Sequence, residues 1–169
     1  MRPSLAHADP TTAPEQADAD QGDRAGDLAV WDRLRDTYRR VSHVIEADLM
    51  RRHTLTARQL LILRHIAAVP GSRTTVPALR NKIALSSPDT SRVCHVLESR
   101  RLIELRRAGA YNIVTLTRAG QILTRRALET QHASVRRHLL DRLTSRETAV
   151  LVTGLTRINQ SVTLPPDSL

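Results

Sequence analysis

The sequence has one cysteine, one lysine, no phenylalanine and no long apolar run, and each shortage excludes something. With Cys94 alone, no internal disulfide can form. A bilayer-spanning helix needs about 18 or more apolar residues in a row. None occurs, so no membrane partner is expected. Residues 1–27 also lack the apolar stretch of a signal peptide, which leads us to expect a cytoplasmic protein. Trp31, Tyr38 and Tyr111 are the only aromatic residues, too few for the stacking platforms that hold single-stranded RNA. Gly-rich phosphate loops, a nucleophile elbow and carboxylate pairs at a catalytic spacing are missing, so no catalytic residue and no cofactor is expected. The histidines, among them His43, His53, His65, His132 and His138, form no compact ligand motif with cysteines or carboxylates, and no metal site is expected. Cys94 has only Arg92 and His95 as basic neighbours, and it reads as a small core residue rather than a redox sensor.

Arginine is what the chain has in excess. Of 26 basic residues only Lys82 is a lysine. Guanidinium suits bidentate phosphate binding, although a coding bias toward Arg and Ala explains the preference more simply. The charge is unevenly spread: residues 1–27 hold Asp9, Glu15, Asp18, Asp20, Asp23 and Asp27 against Arg2 and Arg24, so this tail is −4 and the remainder +13. A part that basic attracts an acidic partner, nucleic acid ahead of an anionic membrane.

The length suits one domain. Residues 1–26, rich in Pro, Asp, Gly and Ala, cannot offset their ordering entropy by burial and are expected to be a disordered acidic tail. From an Asp27 cap, Trp31, Leu34, Tyr38, Val41, Ile45 and Leu49 recur on one helical face, which can be core or a dimer seam. A second helix opens on the Thr56/Gln59 capping box and ends at Pro70-Gly71, with Leu60, Leu63, Ile66 and Ala67 inward. A strand stub at Thr74–Val76 precedes a short helix that has Pro77 in its first turn and carries Leu79 and Ile83.

The next helix is the most polar. Ser87 is expected to cap it before Pro88, with Thr90, Val93, Cys94 and Leu97 inward and Asp89, Ser91, Arg92, His95 and Ser99 outward. Small donors and one arginine leave a helix slim enough for a major groove about 12 Å wide. The run "LIELRR", the turn "AGA" and "YNIVTL" then read as a hairpin that brings Arg106 and Arg107 beside that helix. Thr117 caps a long helix to about residue 141 with Arg125, Arg126, Arg136 and Arg137 outward. Thr144 and Glu147 box the last helix, where Leu151, Gly154, Leu155, Ile158 and Val162 share a side. The fold class is mainly α with a small β-hairpin: a winged helix-turn-helix with a helical region around it.

In order and spacing, "LTARQLLILRHI", "TTVPALRNKIALSSPDTSRVCHVLESRRLIEL", "VTLTRAG" and "LTSRETAVLVTGLTRI" resemble the MarR family of transcriptional regulators, over roughly Leu28 to Val162. The resemblance implies a MarR-like domain over 27–164, followed by a short tail at 165–169. Its winged helix-turn-helix spans about 56–117, and its dimerisation helices span about 28–52 and 118–162. It also implies a homodimer on a pseudo-palindromic double-stranded operator, a repressor role and release by a small, commonly phenolic ligand. By location, Trp31, Tyr38, His43 and His65 are candidates for the ligand pocket, between the first and second helices and the base of the fifth. Ser87, Asp89, Ser91, Arg92, His95 and Ser99 are candidates for the major groove, and Arg106 and Arg107 for backbone or minor groove. Three departures stand out. The wing "RRAGAYN" is short and lacks the family's Asp-x-Arg element. His95 stands where an acid is common. Arg101 stands where glycine is common and is expected to adopt another turn geometry. The short wing and His95 keep open an alternative, a dimeric protein-interaction module that has lost operator reading.

Overall fold

The computed structural model describes residues 14–83 and 86–162, with side chains from Gly26 onward except that of Ser87. The described elements are α1 (Pro14–His53), α2 (Ala57–Ala68), β1 (Arg73–Thr75), α3 (Val76–Ile83), α4 (Ser87–Ser99), β2 (Ile103–Ala108), β3 (Tyr111–Leu116), α5 (Arg118–His138) and α6 (Ser145–Ser161). Two 3-10 turns, Pro70–Ser72 and Leu140–Arg142, complete the order. No described helix is long and apolar enough to cross a membrane. The chain divides after Arg40 into two units, each taken by itself.

In the first unit α1 starts at Pro14, not at an Asp27 cap. Residues 1–13 lie outside the described ones. Low apolar content argues against burial, yet it does not argue against helix. Proline is suited to a first turn, acids there complement the helix dipole, and alanine and glutamine are good helix formers. The apolar stripe of this part stays in solvent: Trp31 is 58% exposed and Tyr38 73%.

The second unit holds the core. Leu49 from α1, Leu60, Ile62, Leu63 and Ile66 from α2, Leu79 from α3, Leu97 from α4 and Val114 from β3 are buried in one cluster. Ala67, expected inward, is exposed and Ile62 takes its place. Helix α2 packs against α3, α4, α5 and the sheet and buries a wider face than a single stripe. Both of its cap bonds form, Gln59 N–H to Thr56 Oγ1 at 3.1 Å and Thr56 N–H to Gln59 Oε1 at 2.9 Å. The capping box of Thr144 and Glu147 also forms, and Thr117 caps α5. The hairpin joins a third strand, giving an antiparallel sheet in the order β1-β3-β2. Gly109, first of the two residues between Ala108 and Tyr111, has φ +59°, as a tight hairpin turn with glycine in that place requires.

Two junctions fix α4 and β2. Arg101 has φ +56°, so the expectation of another turn geometry is corrected. Leu102 N–H donates to Leu97 C=O at 3.0 Å and Arg101 N–H to Glu98 C=O at 2.7 Å. These are the two bonds of a Schellman motif, closed by the buried pair Leu97 and Leu102. An arginine there accepts a conformation that glycine takes without strain. Next to it, Thr117 Oγ1 donates to Arg101 C=O at 2.8 Å, and α5 enters so closely that a β-carbon on Gly120 would run into the Leu102 carbonyl.

Helix α6 has no buried residue. Leu151, Leu155, Ile158 and Val162, placed on one side by their spacing, are all exposed.

Candidate nucleic-acid interface

Helix α4 is set with its polar face outward by its own buried face. Thr90, Cys94 and Leu97 are buried and Val93 half-buried, as the i, i+3, i+4, i+7 spacing requires. Burial, and then the nearby Glu98 carboxylate, push the Cys94 thiol up to about 11, so it remains protonated near neutral pH. The N-cap is Ser86, one residue before the expected Ser87. Its Oγ accepts from Asp89 N–H at 3.3 Å and donates to Asp89 Oδ2 at 2.8 Å. Ser87 therefore belongs to the first helical turn, and its side chain lies outside the described residues.

The remaining outward residues differ in what they touch and how far they are exposed. The Asp89 carboxylate accepts from the cap hydroxyl and lies 4.0 Å from Arg92 Nη1. Ser99 Oγ donates to Val96 C=O at 2.9 Å. Arg92 and His95 present their side chains 78% and 67% exposed, and Ser91 is half-buried between turns. Sequence reasoning passed over two residues here. Val96 is 41% exposed, and its signal was that it is the one apolar residue of the helix off the inward spacing. Glu98 lies three residues after His95, a spacing that makes helical neighbours; its Oε2 is 3.6 Å from His95 Nδ1, an ionic contact when the ring is protonated.

The wing follows directly. Arg106 and Arg107 are both exposed on β2, opposite Ile113 and Asn112 of β3. Successive strand residues point to opposite faces, so Arg106 shares a face with Glu104 and Arg107 shares one with Leu105. At the other end of α4, Arg100 holds the C-terminus of α1, with Nη1 donating to Thr54 C=O at 2.6 Å and Nη2 to His53 C=O at 3.2 Å. His53 Nε2 in turn lies 2.8 Å from Thr130 Oγ1 on α5.

Trp31, Tyr38 and His43 are exposed along α1. His65 Nδ1 is 2.9 Å from Leu61 C=O, and the ring lines a cleft of about 280 Å³ with Thr74, Leu79 and Lys82. A larger cleft of about 500 Å³ lies between α2 and α5, lined by Ala67, Gln121, Arg125, Leu128, Glu129 and His132 among others. Among the described residues no three His, Cys, Asp or Glu side chains gather as a metal site would need.

Residues 53–110, which contain the helix-turn-helix and most of the wing, match the sequence model of the MarR family. The fold is similar to solved MarR family regulators. AbsC of Streptomyces coelicolor is 24% identical, with 79% of this chain and 91% of that one covered at a TM-score of 0.71. Sco3205 of the same organism, solved in complex with DNA, is 18% identical, with 85% and 95% covered at 0.76. BpsR of Bordetella bronchiseptica, whose DNA binding is regulated by 6-hydroxynicotinic acid, is 20% identical, with 78% and 94% covered at 0.67. No curated protein sequence matches the chain significantly.

Proposed function

From a MarR-like winged helix-turn-helix we infer a dimeric, sequence-specific regulator of transcription that reads double-stranded DNA through α4 and represses. The observation that carries this is the pairing of an exposed polar face on α4 (Ser91, Arg92, His95) with exposed arginines on the adjoining strand, in a part of the chain whose charge is +13. Phosphate attracts such a surface, and the small side chains of α4 leave room for base edges. Arg92 holds phosphate, Ser91 and His95 face bases, Val96 can meet a thymine methyl, and Arg106 and Arg107 grip backbone or minor groove. Self-association is supported by the apolar residues Trp31, Leu34 and Tyr38 of α1 and by the apolar side of α6, all exposed in the single chain. Release by a small ligand belongs to the same reading, and the α2–α5 cleft offers it space.

The test is selection of bound sequences from random duplex DNA. The expected result is a dyad whose half-site centres are about 10 bp apart, the spacing of two recognition helices on one face of the duplex. Equal and weak retention of all fragments, with a protein partner kept in pull-downs, would instead favour an interaction module built on the same scaffold.

A further inference from the structure

We propose that Glu98 is a positioning residue that sets the wing against the recognition helix, and that operator preference depends on this brace. The inference rests on the DNA-reading function above.

Strand β2 is an edge strand of the sheet, so among the described residues its outward N–H groups have no strand to pair with. One of them, Leu105 N–H, donates to Glu98 Oε1 at 3.0 Å. The other carboxylate oxygen faces His95 Nδ1 at 3.6 Å. A single side chain thus touches the groove-facing residue of α4 and the strand whose next two residues are Arg106 and Arg107. Ile103 is buried at the root of β2, and beyond it Glu98 is the side chain of α4 that holds the strand by a hydrogen bond. The brace explains how a wing of this length can be useful. A long wing finds the minor groove by reach; a short one must start from the right place. The negative charge of Glu98 would repel DNA phosphates at this edge.

Two substitutions separate bracing from charge. Glu98→Gln keeps an oxygen for Leu105 N–H and removes the charge. Glu98→Ala removes both. Binding is measured on the selected duplex and on a scrambled one, with melting temperatures and the hydrogen exchange of the Leu105 amide followed in the same variants without DNA. In Glu98→Ala the Leu105 amide exchanges faster, and affinity for the selected duplex falls roughly tenfold with little change on the scrambled one, the scale of one lost charge-assisted hydrogen bond. Glu98→Gln keeps the selected-to-scrambled ratio within about threefold of wild type. Unchanged Leu105 exchange in Glu98→Ala overturns the proposal. So does an equal loss on both duplexes, which a merely structural role would give. A wild-type protein with no preference between the duplexes would remove the DNA-reading function itself, and this inference with it.

Discussion

Helices α2 and α6 carry similar apolar periodicity and meet opposite fates. Leu60, Leu63 and Ile66 of α2 are at most 1% exposed, whereas Leu151, Leu155 and Ile158 of α6 are 37%, 38% and 52% exposed. Both helices open with a formed capping box, so the difference does not arise locally. It arises from neighbours: α2 is surrounded by α3, α4, α5 and the sheet, while α6 follows a 3-10 turn and buries nothing. Periodicity states that a face needs a partner, and the described residues supply that partner for α2 and not for α6. The proposed dimer would supply that partner for the other.

The largest break in this contrast should come where the enclosed region is tightest. Gly120→Ala places a methyl group against the Leu102 carbonyl and 2.8 Å from Leu116 Cδ1, and should cost about 3 kcal/mol or more. Denaturant unfolding would show it as a lower midpoint. Leu97→Ala, removing buried atoms from α4, should cost about 3 kcal/mol. Leu155→Ala on α6 should cost roughly 0.5 kcal/mol or less within one chain and should instead weaken self-association, seen by sedimentation at several protein concentrations. Equal stability losses for Leu97→Ala and Leu155→Ala, with assembly unchanged, would erase the distinction between the two regions.

Arg101→Gly goes the other way. Relief of a left-handed arginine should stabilise the protein by about 1 kcal/mol, visible as a higher melting temperature. A loss of stability would mean that the arginine side chain contributes more than its backbone costs.

These effects also show what could be read in the sequence. Side-chain caps are local, so Thr56, Thr117 and Thr144 marked helix starts correctly. The start of α1 was misplaced because its early residues favour helix without any apolar stripe. Ser86 and not Ser87 caps α4, a choice that residue type alone does not make, since either serine suits the place. The outward face of α4 was legible from its spacing. The commitments within that face were not: Asp89 to the cap could have been read from Ser86, three residues before it, but Glu98 to Leu105 crosses from helix to strand. Arg101 kept the geometry of a glycine because the buried Leu97–Leu102 closure is fixed by the core.

The smallest effect is electrostatic. The Ser134 hydroxyl is buried with no partner at hydrogen-bonding geometry, but it lies near enough to the Asp48 carboxylate to lower its pKa; Arg51, Arg52 and His138 lower it further against the opposing effect of burial. A carboxyl with a lowered folded pKa stabilises the fold above its unfolded value, near 3.9, and that contribution disappears as pH falls through the folded value. Asp48→Asn should therefore lower the melting temperature at neutral pH, and the gap from wild type should close in acid. A gap that persists unchanged below the carboxylate range would assign the loss to shape rather than charge.

Whether α4 enters the groove is decided at Arg92. Wild type and Arg92→Ala are titrated with the selected and a scrambled duplex at several salt concentrations. We predict a similar loss of affinity on both duplexes and a salt slope smaller by about one, the mark of one phosphate contact. Affinity unchanged on both duplexes would show that this helix does not meet DNA.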